Sequence, residues 1–329
     1  MSESRVLVTG ANGFVGTRIC HRFIQEGFDV KAGVRRSSVV DSLESMKLEM
    51  RYGDVTDTSS LEKMVAGVDY VIHNAGLVKA RKPKTFFDVN EQGTRNLLEA
   101  VQRSNPGVKR VVLISSLAAI GPSSQDRPVH EDDTPQPMTT YGMSKLAGEK
   151  VAREFASNLP VSIVRPPGVY GPGDIGFLDF FKSVRMGLGP LVGNPNRRIQ
   201  LVHVDDLARG IFLATTTDTE SGLAFFIAES KSYSAREIMN AIEEACQHTG
   251  IKFRLPGSLF KTIATVSESV SKALGATPML TKEKARELLQ WWEVSTERAE
   301  KLLSFRAQIP FPEGARQTYQ WYRRQGWVR

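Results

Sequence analysis

The chain has 329 residues, 41% apolar and 24% charged, the balance of a globular protein with a full core. No run approaches the roughly 20 uninterrupted apolar residues that span a bilayer, and the apolar run Val6-Leu7-Val8 stands so close to the start that no secretory signal is expected. The formal charge of +7 is scattered among acids such as Glu131-Asp132-Asp133 with no basic stripe of interleaved aromatics, which argues against a nucleic-acid partner and for attraction of small anions.

Arg5–Thr9, residues 28–34, residues 49–53, Tyr70–His73, residues 110–115 and Val161–Arg165 are short, β-branched and apolar almost throughout, as in a parallel sheet covered on both faces. Helical periodicity fills the gaps over residues 14–26, a segment opened by the pair Ser59/Glu62, residues 86–103 and residues 141–157. This alternation predicts a doubly wound α/β sheet. After Arg165 a Pro/Gly-rich stretch, 166–174, leads to a helix and a loop at 187–197. The strand–helix pair 200–214 and a strand at 223–228 are expected to return to the sheet, and Ser234/Glu237 opens another helix. The expected division is a nucleotide-binding domain of residues 1–165, rejoined by 200–228, and a smaller, mostly helical C-terminal substrate lobe within 166–329. The lobe would cover the C-terminal ends of the strands, where open α/β sheets bind ligands.

Gly10-Ala11-Asn12-Gly13-Phe14-Val15-Gly16 follows the first strand and opens the first helix. Glycines at 10, 13 and 16 permit a tight turn, backbone contact with a pyrophosphate and close helix–strand packing, while the helix N-terminus offers N–H donors to phosphate. NAD enzymes end the second strand with an acid for the ribose 2′-hydroxyl. Here Arg35-Arg36-Ser37-Ser38 stands instead, two guanidiniums and two hydroxyls that suit a 2′-phosphate. NADP(H) is therefore the expected cofactor, with NAD(H) the other candidate.

Tyr141-Gly142-Met143-Ser144-Lys145 begins a helix, and a spacing of four puts phenol and ammonium on one face. A free tyrosine titrates near ~10, so a neighbouring cation is expected to favour phenolate and fit the phenol for proton exchange with a substrate oxygen. Ser115-Ser116 ends the preceding strand and offers a hydroxyl to the same oxygen. The histidines (21, 73, 130, 203 and 248) have no metal spacing, so no metal is expected. The cysteines, Cys20 and Cys246, match neither metal nor redox spacing and fit a reducing, cytoplasmic setting.

Taken in order, these motifs resemble the extended short-chain dehydrogenase/reductases, within the epimerase/dehydratase branch, nearly end to end. Thr9 to Gly16 is similar to the phosphate loop and Asp54-Val55 to the acidic pair at the adenine. His73-Asn74-Ala75-Gly76 resembles the sheet-stabilising motif, and Asn90-Glu91-Gln92-Gly93-Thr94 the segment with a structural asparagine. Arg165-Pro166-Pro167-Gly168-Val169-Tyr170 resembles the stretch beside the nicotinamide, and His203-Val204-Asp205-Asp206 the family's strand-to-helix turn. The resemblance implies a Rossmann sheet and a catalytic group of Tyr141 as general acid/base, Lys145 on the nicotinamide ribose, and Ser116, rather than Ser115, polarising the substrate oxygen. It implies Asn90 as a relay member or a packing residue, with Leu117 and Gly168 beside the substrate, and His203 packing or capping locally. It also implies a homodimer through the helices at 86–103 and 141–157. Nucleotide-sugar epimerases of the family place asparagine where Gly168 stands and arginine where Ile199 stands; Gly76-Leu77-Val78-Lys79-Ala80 and Thr318-Tyr319-Gln320-Trp321-Tyr322-Arg323 are closer to dihydroflavonol reductases and 3β-hydroxysteroid dehydrogenases. The expected reaction is NADP(H)-dependent interconversion of a ketone or aldehyde with an alcohol on an apolar or amphipathic substrate. Lining is expected from residues 117–123, 173–181 and 255–274, where Leu259, Ile263, Val266, Val270 and Leu274 share a helical face that is either core or, less readily, a membrane contact. A nucleotide-sugar epimerase using Arg197 or Arg198 is the alternative, and a non-catalytic NADP(H)-binding module the third reading.

Overall fold

The computed structural model describes residues 3–273 and 281–328. Strands β1 (Arg5–Thr9), β2 (Asp29–Val34), β3 (Glu49–Tyr52), β4 (Tyr70–His73), β5 (Arg110–Ile114) and β6 (Val161–Arg165) form one parallel sheet. Three short strands follow outside it, β7 (Gly168–Tyr170), β8 (Leu188–Val192) and β9 (Arg198–His203), before β10 (Ala224–Phe226) closes the sheet beside β6. The spatial order is β10-β6-β5-β4-β1-β2-β3, so the direction of winding reverses between β1 and β4. That crevice, at the carboxyl ends of the strands, is where such a sheet receives a dinucleotide.

The period of two in β1 divides its side chains between two cores. Val6 and Val8 join Ile19, Phe23, Leu207 and Ile211 under helices Phe14–Gln25 and Val204–Thr216. Leu7 joins Leu61, Leu97 and Val151 under helices Thr58–Val65, Gly93–Ser104 and Thr140–Glu154. A third core, with Phe181, Ile242, Tyr319 and Tyr322 fully or nearly buried, unites helices Leu178–Arg185, Ala235–Cys246 and Phe311–Arg324. On it lie a small sheet of β7, β9 and β11 (Ser232–Ser234) and the parallel pair β8 and β12 (Ile251–Leu255). Ser234 and Glu237 form the expected capping box.

Three local differences from the sequence reading have physical causes. Strand β9 was expected in the main sheet, but the edge of β6 is already paired by β10, and β9 pairs with β7 and β11 instead; only its helix, Val204–Thr216, covers the main sheet. The helix expected to open at Ser59 is capped by Asp57, whose carboxylate accepts the Ser59 N–H at 3.1 Å. The helix expected over residues 86–103 divides into Pro83–Phe87, a wide π-helical turn at Asp88–Gln92, and Gly93–Ser104. Such turns often mark functional sites, and this one carries Asn90.

Candidate functional site

The phosphate loop is built by contact between β1 and the turn after β4. Gly10 has φ +64°, and a Cβ there would lie 3.0 Å from Ala75 Cα; one on Gly16 would lie 2.1 Å from the Gly10 carbonyl oxygen. Only bare backbone fits. Thr9 Oγ1 accepts the Ala75 N–H (3.0 Å) and Asn74 Nδ2 donates to the Gly10 carbonyl (3.2 Å), so Asn74, Ala75 and Gly76 lie along the loop. Gly13 is the N-cap and brings no side chain to the first-turn N–H groups of the helix that starts with Phe14 and Val15, an arrangement that suits phosphate. Asn12 Nδ2 donates to the Val39 carbonyl (3.2 Å) and ties this loop to the turn after β2.

In that turn Arg35 and Arg36 are exposed, and Arg36 lies over the Tyr52 ring at 5.4 Å. Neither is paired with a carboxylate among the described residues. Asp54 follows β3, and its Oδ1 accepts from the Thr56 N–H (2.9 Å) and hydroxyl (2.8 Å). Val55 is buried against Gly93, and its carbonyl accepts from Asn96 Nδ2 at 2.8 Å. Its side chain is thus packing rather than exposed lining.

Tyr141 stands in the first turn of helix Thr140–Glu154, capped by Thr139, whose hydroxyl accepts the Gly142 N–H (3.0 Å). Its ring meets Phe86 with centroids 6.3 Å apart. Of the paired serines, Ser116 is the one whose hydroxyl stands beside the phenol and favours its ionised form. Its Oγ also accepts the Ala118 N–H at 3.1 Å, which leaves the hydroxyl proton for the phenol or a substrate oxygen. Ser115 turns inward and donates to Glu149 (2.6 Å).

Lys145 is buried on the same helix face and donates to the Ile114 carbonyl at 2.8 Å. Burial lowers its ammonium from 10.5 to about 8, opposed by the Glu149 carboxylate. The expected acidification of the phenol does not occur in this structure. Burial pushes Tyr141 up to about 12, with Ser116 opposing and the negative charge of Glu287 adding to the rise. Desolvation of phenolate is the dominant cause, and the Lys145 ammonium is turned to the Ile114 carbonyl.

Asn90 closes the group. Its Oδ1 accepts the Leu77 N–H (2.8 Å), and its Nδ2 donates to the Leu77 carbonyl (3.0 Å) and to Ser144 Oγ (2.9 Å). A Cβ on Gly76 would lie 3.0 Å from both Asn90 Oδ1 and Lys145 Nζ, so the turn after β4 is held between them. His73 is buried and bonds Thr9 and Thr94, each at 3.1 Å; burial, then the Lys145 charge, lowers its pKa to about 3. His203 caps its helix, accepting the Asp205 N–H at 3.3 Å, and packs against Tyr170.

Other expected lining residues separate. Leu117 packs in a core with Ile120, Val129 and Phe226, and its N–H donates to the carbonyl of buried Pro166. Gly168 is exposed and Val169 half-buried on β7. Leu259, Ile263, Val266 and Val270 are exposed, which rules out a core, and Leu274 lies outside the described residues. Two side chains that no local pattern singled out approach the site: Glu283 accepts from the Thr140 N–H and hydroxyl, each at 3.0 Å, and Glu287 lies on the same helix, Lys282–Glu287. Glu149 lies four residues beyond Lys145, and that helical spacing alone could have flagged it.

The pattern of the NAD dependent epimerase/dehydratase family matches residues 6–228. The chain belongs to that family. Its relatives within the epimerase/dehydratase group include a ceramide reductase of Caulobacter vibrioides, 30% identical over 98% of this chain and 96% of the relative. They also include a 3 beta-hydroxysteroid dehydrogenase/Delta 5-->4-isomerase of Mycobacterium tuberculosis, 29% identical over 79% of this chain and 74% of the relative. The solved UDP-glucose 4-epimerase of Thermotoga maritima superposes with a TM-score of 0.79 at 21% identity, covering 98% and 99% of the two chains, and shares the fold. An epimerase/dehydratase chain of this kind is an extended short-chain dehydrogenase/reductase and binds a nicotinamide dinucleotide; the bare Gly10–Gly16 cradle and the uncapped helix fit one.

Proposed function

We propose that this epimerase/dehydratase-family enzyme is an NADP(H)-dependent reductase of a ketone or aldehyde on an apolar or amphipathic, lipid-like substrate. The single observation that carries the reading is the placement of Tyr141 and buried Lys145 one turn apart on helix Thr140–Glu154, with Ser116 beside the phenol just beyond β5. The bound dinucleotide would supply hydride to the carbonyl carbon. Tyr141 would give its proton to the carbonyl oxygen, and Ser116 would hold that oxygen by a donated hydrogen bond. A phenol raised to about 12 keeps its proton at neutral pH, the state that reduction needs. Lys145, on the same helix face as the phenol, would donate to the ribose hydroxyls of the bound dinucleotide. Arg35 and Arg36, exposed and without carboxylate partners among the described residues, support a 2′-phosphate.

Several contacts weigh against a nucleotide-sugar diphosphate. A Cβ on Gly168 would lie 2.9 Å from the buried Leu201 side chain, so the epimerase asparagine would need Leu201 to move. Arg198 is held by Glu237 (3.1 Å) and Ser232 (3.0 Å), and buried Arg197 donates to carbonyls of its own loop at Val192 and Asn194. The names of the ceramide and 3 beta-hydroxysteroid relatives point to the same lipid class. Residues 1–165, rejoined by helix Val204–Thr216 and β10, would hold the dinucleotide, with the rest mainly the substrate lobe. A homodimer through the helices carrying Asn90 and Tyr141 completes the proposal.

The test is NADPH oxidation with ketolipids and steroid ketones. Tyr141→Phe is expected to lower kcat by about 100-fold or more while still binding NADPH. NADPH is expected to stabilise the protein more than NADH, with Arg35→Asp reversing the order. Undiminished turnover in Tyr141→Phe, or preferential stabilisation by UDP- or GDP-sugars, would overturn the reading.

A further inference from the structure

Helix Gly257–Ala273 is amphipathic the wrong way round for a helix in water. Apart from half-buried Phe260 near its start, its inward positions are small or polar. Ala264 is fully buried, Ser267 and Glu268 are half-buried, and Glu268 accepts the Lys282 N–H (2.8 Å) from the neighbouring helix. Its outward positions, Leu259, Ile263, Val266 and Val270, are 48%, 44%, 57% and 52% exposed and make one stripe down the helix. Strand β12, which runs directly into this helix, exposes Ile251 and Phe253 on one face of the strand, and Leu188 of β8 lies opposite Ile251 and is exposed as well. Exposed apolar side chains gathered along one helix face and one strand edge mark an interaction site.

Charge identifies the occupant. Residues 182–192 and 251–273 carry six cations, Lys182, Arg185, Lys252, Arg254, Lys261 and Lys272, against one carboxylate, the half-buried Glu268. Lys252 meets Glu243 from an adjacent helix, whereas Lys261 is exposed on the helix itself. A second copy docked about a two-fold axis would set these cations against themselves. A bilayer with anionic headgroups satisfies both features, taking the apolar stripe among its acyl chains and the cations at its surface. We propose that helix Gly257–Ala273 and the β8–β12 edge seat the enzyme on an anionic membrane surface. No helix among the described residues is long and apolar enough to cross a membrane, so the contact is peripheral. The proposal extends the lipid-substrate reading and rests on it for its purpose. A Cβ on Gly257 would lie 3.3 Å from Leu289, just beyond the helix whose Glu283 holds Thr140 next to Tyr141, so the docked face is one helix away from the phenol.

The experiment is flotation of the full-length protein with vesicles of phosphatidylcholine alone or mixed with phosphatidylglycerol, without turnover, alongside sedimentation velocity. The wild type is expected to float with the anionic vesicles and much less with the neutral ones. The double variant Ile263→Ser, Val266→Ser is expected to lose about ten-fold or more of that binding, with NADPH stabilisation and turnover of a water-soluble ketone unchanged. Lys261→Glu is expected to weaken flotation on anionic vesicles only. The proposal is overturned if the wild type floats with neither vesicle, if the double variant floats as well as the wild type, or if those two substitutions instead dissociate a dimer. Lipid-ketone reduction by a protein that ignores vesicles would retain the function and remove the docking; vesicle binding without any ketone reduction would do the reverse.

Discussion

Lys145→Met separates what the site needs from what the fold prefers. In the folded chain burial holds the Lys145 ammonium at about 8 against an ordinary 10.5, a difference worth roughly 3 kcal/mol at about 1.4 kcal/mol per pH unit. Below about pH 8 both folded and unfolded chains carry the proton, and the whole penalty acts on the folded state. Between 8 and 10.5 the folded chain releases the proton while the unfolded chain keeps it, so stability rises with pH; above 10.5 the penalty is gone. Methionine fills similar space without charge but abandons the Ile114 carbonyl, which Nζ reaches at 2.8 Å, and an unmade hydrogen bond there costs about 1 kcal/mol. The unliganded variant is therefore expected to be about 2 kcal/mol more stable than the wild type at pH 7, with that advantage shrinking as the pH approaches 10, and to be inactive as a reductase. Urea unfolding followed by circular dichroism at several pH values measures the difference. A variant less stable than the wild type at pH 7, or a difference that does not change with pH, would refute the reasoning.

The fully buried pair Arg165 and Glu149, joined at 2.9 and 2.6 Å, offers a second test. Arg165→Met leaves the buried carboxylate with only Ser115 (2.6 Å) and the more exposed Arg153 (3.3 Å) and is expected to destabilise by about 3 kcal/mol, whereas replacing both residues with methionine is expected to lose less. The partner contacts hold Glu149 below the usual carboxylate range, despite the opposing effect of burial. Its contribution is thus present above the unfolded value near 4.5 and is lost as the pH falls through the lower folded one, which an acid titration of unfolding would detect. Asn90→Ala frees both backbone groups of Leu77 and is expected to remove about 2–3 kcal/mol. Thermal unfolding with and without NADPH checks this, with a weaker NADPH stabilisation also expected because the turn after β4 borders the cradle.

The sheet was legible because a parallel strand covered on both faces is apolar at every position, as Val6-Leu7-Val8 and Val111-Val112-Leu113 are, with a loop of fixed glycine spacing at its head. The Tyr141/Lys145 face follows from helix geometry, whereas the choice of Ser116 over Ser115 is implied by the family resemblance. Other features depend on who fills a space first. Strand β9 was displaced by the shorter β10, and no property of residues 198–203 alone announces that competition. Glu283 meets Thr140 across 143 residues of sequence, beyond the reach of any spacing rule. The phenol's acidity also escaped the pattern. Four residues of separation fix where an ammonium stands, but the depth of burial decides whether its charge or the loss of water prevails.

His73 couples acid to the stability of the fold rather than to the shape of the dinucleotide loop. Its ring, joined to Thr9 on one side and Thr94 on the other, would accept a proton in the folded chain only near 3, whereas the free side chain does so near 6.5. Falling pH between those values therefore draws molecules toward the unfolded ensemble without loosening the cradle in those that remain native. Each pH unit between about 6.5 and about 3 should take about 1.4 kcal/mol from the stability of the fold through this ring and leave the dinucleotide affinity of native molecules where it was.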